Sequence, residues 1–250
     1  YKQGKYNLSS QYALKVRESS DMYPSAQFLS AVAEYNTGRA GPAMKRLQDL
    51  KDWMESKKLD DNNLRTLTAI TMARIHFQTN QFNSALKLYN QVDKNHPLWV
   101  QGLIEQGWTQ VMVGDYAGAI GNMYSLHSPY FKSVYMPESW VVRTIGYINI
   151  CQYGDAYNSL TRLETQYRGW HSQVKSYISN HRQAKDYYFS VLSYLKGKST
   201  QDVDGLPYQV VRELARQRTY INYQDSINMK VDEISQYEFI YKIILEDKNA

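Results

Sequence analysis

An all-α protein, built as a solenoid of stacked helical hairpins, is the fold class this sequence predicts, on three observations. First, a short pattern recurs: a turn residue, a polar residue, usually an aromatic, then a small residue. It stands as GKYNLSS (4–10), GRAGPAM (38–44), NQFNSAL (80–86), GDYAGAI (114–120) and CQYGDAY (151–157). The small residues Ser9, Ala43, Ala85, Ala119 and Ala156 lie 34, 42, 34 and 37 residues apart, and a period in that range marks a repeat architecture. Second, the flanking segments carry apolar residues at steps of three and four, the period of an amphipathic helix. Third, 13 Gly and 6 Pro in 250 residues are too few for the tight turns of an all-β chain.

The elements follow in order. Residues 1–23 match the latter half of a hairpin, so the chain is expected to enter an array partway. It opens at Tyr1 rather than Met, and a signal peptide or longer N-terminal region is expected to have preceded it. A first unit over 24–57 carries Ala31, Gly38 and Ala43, followed by an insertion around SKKLDDNN (56–63). In the second, 66–99, LTAITMARIHFQTN (67–80) places Ile70, Ala73 and Phe77, with Met72 and His76, on helical spacing. SALKLYNQV (84–92) continues with Ala85, Leu88, Tyr89 and Val92, and Pro97 is expected to stop that helix and open the next unit. The third, 100–133, has Gly107 as the small residue of its first helix, then Gly114, Asp115, Tyr116 and Ala119. The fourth, 137–169, has Trp140, Tyr147, Tyr153 and Ala156.

Beyond Arg168 the repeat fades, which divides the chain into repeats (1–169) and a C-terminal helical cap or arm (170–250). Residues 170–196 place Trp170, Val174, Tyr177, His181, Ala184, Tyr188, Val191 and Leu195 at alternating four- and three-residue steps, which predicts one long helix with a coiled-coil-like stripe. GKSTQDVDGLP (197–207) reads as a loop. A helix is expected after Pro207 with Val210, Val211, Leu214 and Ala215. A last one from about Ser226 carries Ile227, Val231, Ile234, Tyr237, Tyr241 and Leu245.

Composition narrows the function. The net charge is +5 with no run of five or six basic residues, which argues against a nucleic-acid partner or a polybasic membrane patch. No stretch of 18 apolar residues exists, so no transmembrane segment is expected. The single cysteine, Cys151, excludes an internal disulfide and a Cys-based zinc site. No nucleophile elbow, zinc-protease, Walker or dinucleotide fingerprint is present. Of His76, His96, His127, His171 and His181, none pairs at the i,i+4 spacing of two metal ligands on one helix. His76 falls in a packing column and reads as a core histidine. Cys151 sits in an inter-helix turn, and Asp60–Asp61 and Glu246–Asp247 read as solvated charge in loops or frayed ends. No enzyme, cofactor or metal is expected.

The 34-residue period and the residues quoted for each unit resemble the tetratricopeptide repeat (TPR) family over about 170 residues. Asn80 and Cys151 depart from the pattern where a glycine is usual, and Phe131 where the closing proline belongs. The resemblance implies an inner, concave face lined by the first helix of each hairpin, which binds an extended peptide or a helix. That face would hold Phe28, Val32 and Tyr35; then Ile70, Arg74, Phe77 and Gln78; then Ile104, Glu105, Trp108 and Met112; then Val141, Ile145 and Asn149. Chaperone-tail-binding members present a Lys/Asn set here that clamps a terminal carboxylate. Arg74 beside Glu105 does not reproduce it.

The expected surface is apolar and aromatic, suited to a helix or apolar segment, with Trp108, Phe77 and Arg74 as anchors. The opposing expectation is that the C-terminal helices fill the same groove. The segment 137–168 resembles units of bacterial envelope-associated TPR proteins. That implies a periplasmic, non-enzymatic scaffold holding a protein or peptide partner, peripherally associated with an envelope complex; a cytoplasmic site stays open. The alternative is a substrate-guiding domain of a larger cell-wall enzyme.

Overall fold

The computed structural model describes residue 1, residues 4–197 and residues 202–248. Among these the chain is all α: α1 (Tyr6–Ala13), α2 (Tyr23–Asn36), α3 (Ala40–Ser56), α4 (Asn62–Gln78), α5 (Phe82–Tyr89), α6 (Trp99–Val113), α7 (Tyr116–Leu126), α8 (Pro137–Asn149), α9 (Tyr153–Asn180), α10 (Ala184–Gly197), α11 (Tyr208–Arg216) and α12 (Arg218–Lys248). A single 3-10 turn, Pro129–Phe131, separates α7 from α8. The chain divides into two compact units, residues 1–132 with 136–163, and residues 133–135 with 164–250. The division falls inside α9.

In the first unit, successive helices from α1 to α8 pack on one another, and the first helices of neighbouring hairpins also touch, α2 with α4 and α6 with α8. The recurring heptapeptide is the bend of each hairpin. Gly4, Gly38, Asn80, Gly114 and Cys151 all sit in the left-handed region, at φ 74°, 80°, 59°, 82° and 60°, each five residues before its small marker. At the last four bends the next residue donates its backbone N–H to the carbonyl five residues back. These bonds, Arg39 to Glu34, Gln81 to His76, Asp115 to Gln110 and Gln152 to Tyr147, measure 2.8–3.1 Å. This is the left-handed C-terminal cap that glycine favours. Asn80 and Cys151 hold the same conformation because the bend's hydrogen bonds require it.

The markers then seat the second helix. Ala43, Ala85 and Ala119 are fully buried and Ala156 nearly so. Ala43 and Ala85 share one core with Ala31, Leu47, Met72, Ala73, Ile75, Leu88 and Tyr89; Ala156 meets Ile120 and Tyr147. In the first copy the frame slips by one residue: Ser9 is half-buried, whereas Ser10 is buried and shares a 2.8 Å hydrogen bond with Ser30 Oγ. Close approach also explains the glycine of α6. A Cβ at Gly107 would stand 2.8 Å from Met123 Cε and 3.1 Å from Val142 Cγ1.

Several expectations are corrected. The helix after Ala85 ends at Tyr89, not near Pro97; Gln91 and Val92 turn the chain through bonds to Leu88 and Tyr89, and Pro97 lies in the loop before α6. Val92 still packs, against the open side of Gly102 at 3.7 Å. Phe131, where a proline was expected, closes its unit by leaning on Trp99 at 5.8 Å between ring centroids. His76 is half-buried rather than core and bonds Gln81 Oε1 at 2.7 Å. Asp61 is more than solvated charge: it caps α4, accepting from Leu64 N at 2.8 Å.

In the second unit, the single helix expected over 170–196 is two. α9 runs on from Tyr153 to Asn180, and the chain breaks at 181–183 before α10. The break has local causes: His181 folds back to stack on Tyr177 at 4.0 Å. Gln183 N also donates to Asp186 Oδ2 while Asp186 N donates to Gln183 O, restarting a helix as a reciprocal cap does. Tyr177, Val191, Leu206 and Val211 form this unit's core. Of the expected loop 197–207, residues 198–201 lie outside the described residues; the rest turns at Asp204–Gly205 between Val203 and Leu206. The last helix starts at Arg218, eight residues before the expected Ser226, and contains Glu246 and Asp247. Its Ile227, Val231, Ile234, Tyr237 and Tyr241 are exposed. No described helix is long and apolar enough to cross a membrane.

Candidate functional site

The first unit carries a groove of about 520 Å³ lined by Tyr35 of α2, Arg74, Phe77 and Gln78 of α4, Tyr89 of α5, and Glu105 and Trp108 of α6. Three successive hairpins contribute their first helices because each helix presents one residue per turn to the same side. Glu105 is the hub. Arg74 donates Nε and Nη2 to its two carboxylate oxygens at 2.8 and 2.6 Å, a bidentate fork. Tyr89 Oη donates at 3.0 Å and Gln101 Nε2 at 2.9 Å. The hydrogen bonds to Glu105 raise Arg74 further above its ordinary value against the opposing effect of desolvation. Burial, then the Glu105 charge, raise Tyr89 well above the usual phenol range, so it remains a donor.

Trp108 is half-buried, and its Nε1 donates to Glu138 Oε1 at 2.6 Å. Phe77 meets Phe82 edge-on at 5.4 Å. The groove's polar groups are therefore largely paired with one another, and what faces outward is ring surface.

Six sequence-predicted site residues come together here: Tyr35, Arg74, Phe77, Gln78, Glu105 and Trp108. Others fall elsewhere. Ile70 and Ile104 are 1% and 4% exposed and belong to the interior. Met112 is 53% exposed, outside the groove's lining, as are Ile145 and Asn149, whose amide bonds the Ile145 carbonyl at 2.8 Å. By its spacing Tyr89 is a packing residue of the second helix. Its partnership with Glu105 crosses a hairpin boundary, and no helical period announces that.

A second cluster lies between α7, α8 and α9. His127 stacks on Trp140 at 3.6 Å and 14°. Its Nε2 meets Ser139 Oγ at 2.8 Å and its Nδ1 meets Arg143 Nη1 at 3.1 Å. Ser139 Oγ already donates to the Met136 carbonyl at 2.6 Å, so it accepts from Nε2–H, and Nδ1 accepts from the guanidinium. That tautomer is neutral. Burial lowers His127 to about 4, with Arg143 and then Arg162 adding to it.

The consequence for stability has a definite sign. Between pH 6.5 and about 4 the unfolded chain binds a proton that the folded imidazole refuses, so stability falls as pH drops through that window and is level above it. His127 is partly open to solvent, and screening reduces the effect to about 1 kcal/mol. Urea unfolding of His127→Gln is expected to be flatter across that window than the wild-type curve; identical curves would remove His127 from the account.

This architecture defines a class: the chain is a TPR-like α-solenoid. It is similar to two crystal structures of the nearly identical TPR-like repeats of a kinesin-light-chain-like protein from Podosopora anserina. Both align at 17% identity and a TM-score of 0.56, one over 66% of this chain and 86% of that chain, the other over 67% and 88%. At that identity the likeness shows the fold alone. No protein-family model matches the chain, and no curated protein matches significantly.

Proposed function

We propose that the protein is a non-enzymatic interaction scaffold that holds an apolar, helical or extended segment of a protein partner in the Tyr35–Phe77–Trp108 groove. The observation that carries this reading is the groove itself, aromatic on its surface and spanning three hairpins. Its charged members neutralise one another, Arg74 against Glu105. A ligand would gain by covering ring faces, and aromatic anchors of this kind dominate binding energies. The reading extends to a periplasmic partner in a bacterial envelope complex through the likeness of 137–168 to envelope-associated repeats; cell fractionation tests that part.

The deciding experiment is an affinity capture with wild type and a Phe77→Ala/Trp108→Ala double variant, both checked for an intact helical melt. A partner held by wild type and weakened about tenfold or more by the variant is the expected result. Equal retention would move the interaction away from the groove and leave its aromatics as packing.

A further inference from the structure

The cluster around Arg143 encloses a pocket of about 570 Å³, lined by Tyr124 of α7, His127 just past its end, Trp140 and Arg143 of α8, and Asp155, Asn158, Ser159, Thr161 and Arg162 of α9. It is separate from the groove of the first helices, and its lining is polar where the groove's is aromatic. Arg143 is fixed in place: its guanidinium carbon lies 3.5 Å from the centre of the Tyr124 ring, Nη1 donates to His127, and Nη2 reaches Tyr147 Oη at 3.5 Å. None of these partners is a carboxylate. Arg143 Nε is buried and makes no hydrogen bond among the described residues. Arg162, on the same pocket, has neither a hydrogen bond nor an ion pair among them.

A buried guanidinium N–H without an acceptor is unfavourable unless something supplies one. Asp155 lines the pocket but pairs with neither arginine within ion-pair distance. We propose that this pocket is a binding site for a carboxylate group, held by Arg143 and Arg162 with Asn158 and Ser159 beside it. Charge balance selects the class. Two arginines against Asp155, with a neutral His127, leave one positive charge, which a carboxylate cancels and a phosphate dianion would overshoot. The planar fork of arginine suits a carboxylate's two oxygens. The volume lies in the range of small-ligand sites.

Carboxylates reach such a site from two sources, a free small acid or an acidic side chain of a peptide. The test titrates the whole chain at neutral pH and fixed ionic strength with propionate, with a capped tripeptide carrying one glutamate, and with inorganic phosphate. It follows the arginine Nε–H signals by NMR. The expected result is one-site saturation by a carboxylate at the Arg143 Nε–H, with phosphate at least about tenfold weaker. Arg162→Gln, an exposed and unpaired position, is expected to weaken that binding about tenfold without moving the melting temperature. Tighter binding of propionate than of the peptide assigns a small-molecule ligand, and the reverse assigns a protein side chain. No saturation, equal binding by Arg162→Gln, or tighter binding of phosphate would overturn the proposal. Because the groove is left untouched, this outcome is independent of the scaffold reading.

Discussion

Replacing Trp140 with alanine is expected to destabilise the first unit by about 3–5 kcal/mol. The side chain is 7% exposed and packs where α7, α8 and α9 converge. Truncation removes its buried area and leaves a cavity that three helices can close only in part. It also removes the face on which His127 stacks at 3.6 Å and part of the aromatic surround of Arg143, whose guanidinium lies 5.4 Å from the indole. Two readouts should therefore move together. The urea midpoint should fall, and the His127 titration should rise from about 4 toward its ordinary value as water reaches the imidazole. A loss below about 1 kcal/mol, with the histidine titrating as before, would mean that the indole is not the platform of this cluster.

Ala119→Leu is expected to cost about 1–3 kcal/mol by overpacking. Ala119 has no exposure and sits in the first turn of α7, five residues after the left-handed Gly114. A larger side chain there must push α7 off the helices it packs against, α6 and α8. The fit nearby is already close, since a Cβ at Gly146 would meet Ile120 Cγ1 at 2.7 Å. Thermal melting of Ala119→Leu beside Tyr116→Phe, which leaves the packing volume intact, separates this effect from a general one. An unchanged melt for Ala119→Leu would remove the small-residue seat as the reason the heptapeptide recurs.

The fold was legible because its determinants are local and repeated. A bend needs a left-handed residue, a seat needs a small one five positions on, and both write themselves into the sequence at one spacing. Sequence and structure part where one apolar period runs on past the end of its element. The stripe over 170–196 keeps a regular apolar rhythm across a break at 181–183, because apolar spacing does not record where Asp186 captures a backbone N–H. Ser9 likewise fits the count yet gives up its seat to Ser10, since a hydroxyl pair with Ser30 is not visible in a spacing.

The two candidate sites divide in the same way. The resemblance to TPR repeats, together with helical spacing, put Tyr35, Arg74, Phe77 and Trp108 on one side of consecutive first helices. Their pairing was beyond it. The sequence reading sets Arg74 beside Glu105 on that face, but only the approach of α4 to α6 gives their two-bonded fork and the bond from Tyr89. The Arg143 pocket left no trace in any motif, since its residues come from separate helices and its defining feature, a buried Arg143 Nε–H without an acceptor, depends on how those helices pack. The sequence by itself determined the hairpins, since they follow from backbone preference and helical period, and the faces they present followed from the resemblance to TPR repeats. Only the tertiary structure decided which charges are neutralised and which remain open, because that depends on distances of a few ångströms between residues far apart in the chain.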